Sequence, residues 1–274
     1  MNRKAVEAQR FKIDEVFDPR GGWNRYKFNV DFFKKWSNEV AYVLGFLYAD
    51  GDIEDADASS RTRYIAFASK DREIIEKIKA VLKSEHPIHF QPPRTSSDKY
   101  GHIYKSSGGF RLRIGSKRVF SDLIKLGLIP QKSKVIKFPF IPMEYLGHFL
   151  RGYFDGDGTF YIEQRKGINQ RLIFKRACTI LCSGSKVFLK DLSAVLAKAL
   201  NLRSAKIYKG NREFRIVYFT KESVKIFKFM YKNSTGLLLK RKFDNFKRFF
   251  NIRPRWLDKE ITENLNENAK YLAT

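Results

Sequence analysis

The sequence has few of the residues that build zinc sites. Cys178 and Cys182 are its only cysteines, and its four histidines are scattered along 274 residues. A structural zinc ion needs four Cys or His ligands in short spacings. Zinc-finger modules and nucleases with a His-Cys box are therefore excluded, and the two cysteines are interpreted as small core residues.

A long hydrophobic run is also missing. The longest, residues 40–49, is about half the length that a membrane span needs, and the first four residues do not open a signal peptide. We therefore expect no membrane partner and no secretion. The expected compartment is the cytoplasm of a bacterium or phage host, or an organelle.

Acidic residues are scarce relative to basic ones. The chain carries 29 Asp and Glu against 54 Lys and Arg, which gives a formal charge of +25. Such an excess favours a polyanionic partner, and nucleic acid is the first candidate. A basic ribosomal-type or membrane-surface protein is the alternative, but 43% hydrophobic and 15% aromatic residues indicate a folded chain.

A repeated segment is the clearest internal pattern. Residues 42–51 (YVLGFLYADG) match residues 149–158 (FLRGYFDGDG), so that Gly45 aligns with Gly152 and Asp50 with Asp157. Each segment has a helical pattern and ends in Asp-Gly, which predicts a helix stopped by a glycine in the left-handed conformation.

The order of predicted elements after each segment is also shared. In the first half we expect strands at 63–69, 88–94 and 110–114 and helices at 71–83 and 117–126, with one strand not located. In the second half we expect strands at 159–165, 171–181, 205–209 and 213–219 and helices at 186–200 and 222–231. The predicted organisation is an N-terminal extension (1–35), a first repeat (36–135), a Pro-punctuated linker (136–142), a second repeat (143–250) and a C-terminal tail (251–274).

The two aspartates suggest a metal site. An acid at the C-terminus of a helix lies at the negative end of the helix dipole, and two such acids side by side repel each other unless a cation lies between them. Carboxylate oxygens suit Mg²⁺, which usually keeps further positions for substrate phosphates. Asp50 and Asp157 are thus the predicted metal ligands and catalytic carboxylates, with Mn²⁺ or Ca²⁺ as ions that can substitute in binding.

The paired motif resembles that of the LAGLIDADG homing endonucleases, in their single-chain form with two motifs. The resemblance covers about residues 36–250, and the eighth motif residue, the metal-binding acid of the family, is Asp50 in one copy and Asp157 in the other. Tyr48 replaces the first acid of the motif, whereas Asp155 keeps it and is interpreted as a supporting or capping residue. The resemblance implies an α+β fold of two pseudo-symmetric αββαββα repeats, with a saddle of antiparallel strands on DNA.

The same resemblance implies a basic residue near each scissile phosphate, after the last helix of each repeat. Lys132 and Lys240 are the matching positions, because Asp50 to Lys132 spans 82 residues and Asp157 to Lys240 spans 83. A lysine there would polarise water or stabilise developing charge. Each could instead be a general phosphate contact on a basic surface.

Sequence recognition is expected from the strands, since a β-ribbon fits the major groove and presents alternate side chains to base edges. The same side chains could instead form a solvated basic face. The predicted DNA-binding residues are Arg61, Arg63, Arg111, Arg113, Lys206, Tyr208, Arg212 and Arg215.

The predicted function is site-specific, metal-dependent cleavage of both strands of duplex DNA by an intron-encoded monomer. An RNA-binding intron maturase on the same fold is the alternative, although a pure RNA binder has no use for the acid pair. A regulator without nuclease activity should lack the acids. An intein should begin with a nucleophilic residue, whereas this chain begins with Met1.

Overall fold

The structure is a computed structural model that describes residues 26–60, 62–97, 101, 103–234 and 236–272. Within these ranges, each half of the chain contains a four-stranded antiparallel sheet with helices on one face. The predicted α+β class and the order αββαββα in each repeat are confirmed. No described helix is both long and apolar enough to span a bilayer.

The first half begins with helix α1 and contains a sheet in the order β1-β2-β6-β3. The strand that sequence patterning did not locate is β1, which directly follows the first motif. A second hairpin, β4 with β5, extends beyond the sheet. The elements are α1 (Asn38–Ala49), β1 (Gly51–Ala56), α2 (Asp57–Ser60), β2 (Thr62–Ser69), α3 (Arg72–Val81), β3 (Ile88–Gln91), β4 (Arg94–Ser97), β5 (Ile103–Ser106), β6 (Gly109–Gly115) and α4 (Lys117–Lys125).

The second half repeats this order with a sheet β7-β8-β10-β9. Its first hairpin is long and has a bulge between Glu163 and Gln164, while its second hairpin is short. The elements are α5 (Leu146–Asp157), β7 (Gly158–Lys166), β8 (Leu172–Ser183), α6 (Lys186–Leu200), β9 (Ile207–Lys209), β10 (Phe214–Phe219), α7 (Thr220–Tyr231), α8 (Lys240–Ile252) and α9 (Lys259–Lys270).

The two motif helices, α1 and α5, pack against each other through their glycines. A Cβ atom on Gly45 would lie 2.0 Å from the carbonyl oxygen of Phe149, and one on Gly152 would lie 1.9 Å from that of Tyr42. Both distances are far below van der Waals contact, so only glycine allows this approach. The surrounding faces of both helices are fully buried and join the two halves in one hydrophobic core.

The ends of the motif helices differ from the expected left-handed glycine stop. Gly158 has φ −95° and ψ 159°, and both Gly51 and Gly158 begin strands directly. Glycine is needed there for space, because a Cβ on Gly51 would lie 2.6 Å from Leu47 Cα and one on Gly158 2.7 Å from Phe154 Cα. Each acid is therefore held at an abrupt junction between a helix and a strand.

Part of the segment predicted as a tail forms α9, which packs on α7 of the second half. Ile261 is fully buried, and the Asn268 side chain donates to the carbonyl of Tyr231 at 3.3 Å. The described part of residues 251–274 is therefore a packed extension of the second half. The repeat boundaries given above stay a prediction.

Candidate active site

Asp50 and Asp157 lie side by side at the C-terminal ends of α1 and α5. Asp50 directly follows α1 and donates its backbone N–H to the carbonyl of Phe46 at 3.0 Å, while Asp157 is the last residue of α5. Gly156 brings the helix ends together, since a Cβ there would lie 3.2 Å from the backbone nitrogen of Asp50. The contact between α1 and α5 through Gly45, Gly152 and Gly156, which we call the glycine seam, thus places one carboxylate from each half at a common point.

Both carboxyl groups are shifted towards the protonated form. Burial raises the pKa of Asp157 to about 6, and the negative charge of Asp50 adds to the rise. Burial also raises the pKa of Asp50, against the opposing effect of Lys242 and Lys132. Burial therefore disfavours the ionised form of both acids, and the charge of Asp50 adds to this cost for Asp157, a cost that a bound cation would relieve.

Lys132, the basic residue expected for the first half, lies beside the two acids. Its side chain is buried, and its ammonium group donates to the carbonyl of Ala49, the last residue of α1, at 2.9 Å. Burial lowers the pKa of Lys132, while the charges of Asp157 and Asp50 oppose that shift. The ammonium group therefore lies within the electrostatic field of both acids.

Lys242 holds the matching position in the second half. Its buried ammonium group lies within hydrogen-bonding distance of four carbonyl oxygens at the end of α5 and start of β7. Burial lowers the pKa of Lys242 to about 8, against the charges of Asp155, Asp50 and Asp157. Each motif helix thus ends on a buried lysine from its own half. The four acceptors are Phe154 (2.7 Å), Asp155 (2.8 Å), Gly156 (3.0 Å) and Gly158 (2.6 Å).

Lys240, the residue predicted for this position, points elsewhere. Its side chain is half exposed and pairs with Asp244 one helical turn away at 2.6 Å. The carboxylates that raise its pKa are Asp244 and Glu73 rather than the acid pair. The correction is a shift of two residues. Helical periodicity carries the missing signal, since Lys242 shares a face with buried Phe246 and Phe249 at spacings of four and seven residues.

Asp155 connects the second motif helix to the segment that carries Lys242. Its buried Oδ2 accepts from the hydroxyl of Tyr42 at 2.7 Å and from the backbone N–H of Leu239 at 2.9 Å. Buried Arg151 donates to the carbonyl of Leu237 at 2.9 Å. The start of α8 is therefore anchored on α5. In the first half, Tyr48 makes the matching connection by donating to the carbonyl of Leu126 at 2.9 Å.

The two halves also brace each other beside the acids. Arg241 donates to both carboxylate oxygens of Asp71 at 2.9 and 3.1 Å. On the other side, Ser185 donates to the carbonyl of Ile136 at 2.7 Å, and a Cβ on Gly184 would lie 2.2 Å from the carbonyl oxygen of Ser133. Each lysine-bearing segment therefore contacts the opposite repeat.

Most predicted DNA-binding residues lie on the sheet faces that the helices leave open. Strand register places Arg111 and Arg113 on the open face of the first sheet, opposite Ala68 and Ala66 of β2. In the second sheet, Arg215 pairs with Tyr208, and Lys206 lies 5.5 Å over the Tyr208 ring. Arg212 is exposed in the turn between β9 and β10.

Arg63 lies on the other face of its strand, and Arg61 lies outside the described residues. Arg63 lies two residues before Ile65 and four before Phe67, so it shares the core-facing side of β2 with them. Its guanidinium pairs with Asp55 at 3.1 Å and lies 5.2 Å over the Phe120 ring. The expected alternation holds, but it turns Arg63 towards α4.

The comparisons with known proteins agree with this architecture. Residues 144–251 match the family model described as a LAGLIDADG-like domain. Three solved structures match with a TM-score of 0.50 each. They are the homing endonuclease I-WcaI bound to its DNA recognition sequence (16% identity, 78% of this chain, 90% of the other), the I-LtrWI LAGLIDADG homing endonuclease bound to target DNA (12%, 88%, 98%) and the LAGLIDADG meganuclease I-AabMI bound to uncleaved DNA (12%, 84%, 96%).

The chain has the LAGLIDADG fold. The family model matches the second half of the chain, and both halves contain a four-stranded sheet in the arrangement of that fold, which agrees with the resemblance drawn from the motifs. A search among curated proteins gives no match to the sequence. At these low identities the LAGLIDADG structures establish the fold, whereas the activity has to be argued from the site.

Proposed function

We propose that this LAGLIDADG protein is a site-specific endonuclease that cuts both strands of duplex DNA. The observation that carries the proposal is the position of Asp50 and Asp157, one carboxylate from each half, at the closely packed ends of two helices. A pair related by pseudo-twofold symmetry matches a duplex, whose two strands are themselves related by a twofold axis. One cut per strand follows from that match.

The donor set suits a divalent metal ion. Hard carboxylate oxygens at the negative ends of two helices favour Mg²⁺, and the burial that raises the pKa values of Asp50 and Asp157 makes their ionised forms costly without a cation. Among the described residues, no third His, Cys, Asp or Glu completes a protein-only site. Asp50 and Asp157 would therefore hold the ion together with substrate phosphate oxygens. A bound ion supplies activation of water and stabilisation of the leaving oxygen.

The two buried lysines hold the helix ends that carry the carboxylates and oppose the rise in pKa that burial causes. By capping carbonyl groups at the ends of α1 and α5, Lys132 and Lys242 neutralise part of the helix dipoles. Their charges also lower the pKa values of both acids, which keeps the carboxylates available as ligands. Either ammonium group can in addition face the charge that develops on a phosphate.

The open sheet faces supply a surface for the duplex. Arg111 and Arg113 in the first half and Arg215 and Lys206 in the second lie on these faces, and the net charge of +25 favours a polyanion. The first hairpin of the second half, with strands of 9 and 12 residues, spans roughly 30–40 Å at about 3.3 Å per residue, which is about one turn of duplex. I-WcaI and I-LtrWI, which share the fold, are bound to DNA in their solved structures, which supports a duplex as the partner.

Cleavage selection on a pool of randomised duplexes tests the proposal. The chain is incubated with the pool and Mg²⁺, and cut ends are captured and sequenced. We expect one asymmetric target, with cleavage lost in EDTA and in the Asp50→Asn and Asp157→Asn variants while DNA affinity is kept. Asp244→Asn is the matched control, because Asp244 pairs with Lys240 away from the acid pair.

Two outcomes would contradict the proposal. Cleavage that persists in the Asp50→Asn/Asp157→Asn double variant would remove the acid pair from the site. Tight binding to a structured intron RNA, with no duplex recovered from the pool, would instead favour the maturase alternative.

A further inference from the structure

Strand register makes the open faces of the two sheets comparable position by position. Strands β2 and β8 end at Ser69 and Ser183, which pair with Phe110 of β6 and Phe214 of β10. We define a row as the residues that lie opposite one another on neighbouring strands of one sheet. Counting along the strands from these two pairs aligns each open-face row of the first sheet with a row of the second. The rows that start two and four residues after each acid can then be compared.

In the first sheet these two rows are charged. The row beginning with Asp52 continues with Ala66 and Arg113, and the row beginning with Glu54 continues with Tyr64 and Gly115. Arg113 donates to Glu54 at 2.6 Å and lies 3.4 Å over the Tyr64 ring. This face therefore offers hydrogen-bonding groups and fixed charges.

In the second sheet the same two rows are almost entirely apolar. The row beginning with Thr159 continues with Ile180 and Val217, and the row beginning with Tyr161 continues with Cys178 and Phe219. Tyr161 is 52% exposed and Phe219 is 42% exposed, whereas Cys178 is buried beneath them. We call these six residues the apolar patch.

Cationic residues border the apolar patch on both sides. Towards the acids lies Arg215, paired with Tyr208. Away from them lies Arg176, whose guanidinium pairs with Glu163 on the neighbouring strand and lies 4.6 Å over the Phe219 ring. An apolar surface held between arginines and next to Asp157 fits the floor of a major groove, where the C5-methyl groups of thymine are the apolar features.

We infer that the apolar patch reads thymine methyl groups, so that the half-site bound by the second repeat requires thymines close to the cut. The inference rests on the proposed function and adds its sequence preference. Successive rows are two residues, about 6.7 Å, apart along the strand, which matches about two base-pair steps of 3.4 Å. The patch therefore faces a few adjacent base pairs. The charged rows of the first repeat suit hydrogen-bonding base edges instead.

A second copy of this chain fits the patch less well than DNA does. Two copies meeting face to face would bring Arg176 and Arg215 of one copy towards those of the other, on molecules that each carry +25. Duplex DNA instead complements the arginines with phosphates and the patch with methyl groups. The charges around the apolar patch therefore favour duplex DNA over a second copy of the chain as its partner.

Replacing thymine by deoxyuridine tests the inference without altering the protein, since the exchange removes only the C5-methyl group. Targets recovered from the selection are resynthesised with deoxyuridine in one half-site or the other, and affinity is measured in Ca²⁺. We expect about a fourfold loss for each contacted thymine in one half-site and little change in the other. The Val217→Ala/Phe219→Ala variant should bind both DNAs equally weakly. The matched Arg113→Ala variant should keep the sensitivity to deoxyuridine.

Each other outcome has a definite meaning. Equal affinity for thymine and deoxyuridine targets, or the same loss in both half-sites, would overturn the inference while leaving the proposed nuclease intact. Recovery of no duplex at all would overturn the nuclease proposal together with the inference. A dimer that depends on Val217 and Phe219 in sedimentation, with no deoxyuridine effect, would assign the apolar patch to a second copy.

Discussion

The carboxylate of Asp155 accepts a hydrogen bond from the backbone N–H of Leu239, which directly precedes α8 and the buried Lys242. Replacing Asp155 by Ala leaves that buried N–H and the Tyr42 hydroxyl without an acceptor, which costs about 1–3 kcal/mol for each unsatisfied group. We expect a lower midpoint of chemical denaturation and cleavage that slows more than DNA binding weakens. Asp155→Asn keeps an acceptor oxygen and should restore part of both. Unchanged cleavage in Asp155→Ala would show that the connection does not position Lys242.

The seam between the motif helices predicts a strong effect of a single methyl group. Gly152→Ala places a Cβ 1.9 Å from a backbone oxygen, so α1 and α5 must separate. Overpacking of this kind costs about 1–3 kcal/mol, and here it also moves Asp157 away from Asp50. We expect reduced thermal stability and loss of cleavage. The control is Gly210→Ala, whose Cβ would first meet the flexible Glu213 side chain at 3.3 Å. Equal stability of the Gly152→Ala and Gly210→Ala variants would contradict the close packing of α1 against α5 at Gly152.

Burial of Asp157 favours its protonated form, whereas the proposed metal site needs the ionised carboxylate, so we expect this residue to lower stability at neutral pH. Its pKa is about 6 when folded against an ordinary 3.8, so the folded chain holds a proton between these values that the unfolded chain has released. The stabilisation from this proton is full below about pH 4 and is lost as the pH rises through 6. In EDTA at pH 8, Asp157→Asn should therefore melt at a higher temperature than the wild type, with a smaller difference at pH 4. A lower melting temperature for Asp157→Asn than for the wild type at pH 8 would contradict the idea that the buried, ionised Asp157 destabilises the fold.

The sequence predicts the acids of the site better than its lysines. Asp50 and Asp157 stand out because they end two matched motifs, and the glycines at Gly45 and Gly152 indicate a close helix pair. The second lysine depends on where α8 begins, and a count of residues between motifs cannot reveal a two-residue difference in the connecting turn. Arg63 illustrates a related limit. Spacing by two places residues on a common face of a strand, but only the neighbouring core residues tell which face is open.

Lys242 and Lys240 form a matched pair of variants two residues apart. Lys242→Met removes the charge from the carbonyl groups at the end of α5, so we expect a loss of stability and slower cleavage of one strand more than the other. Nicked circles should then accumulate before linear product on a plasmid carrying the target. Lys240→Met removes only an exposed pair with Asp244, whose contribution is about 0–1 kcal/mol, and should behave as the wild type. Slower cleavage in Lys240→Met, with wild-type cleavage in Lys242→Met, would show that Lys240 is the lysine that acts at the site.

DNA binding should fall steeply with salt, because arginines and lysines on the open faces displace counterions from the duplex. About eight phosphate contacts would give a slope of about −7 in a plot of log affinity against log salt concentration. Arg215→Ala, on the open face of the second sheet, should reduce the slope by about one if its guanidinium contacts a phosphate. Should it read a base instead, the slope stays and discrimination at that base pair falls. Binding measured between 50 and 300 mM KCl in Ca²⁺ separates the two roles, and a slope near zero for the wild type would contradict an electrostatic basis for duplex binding.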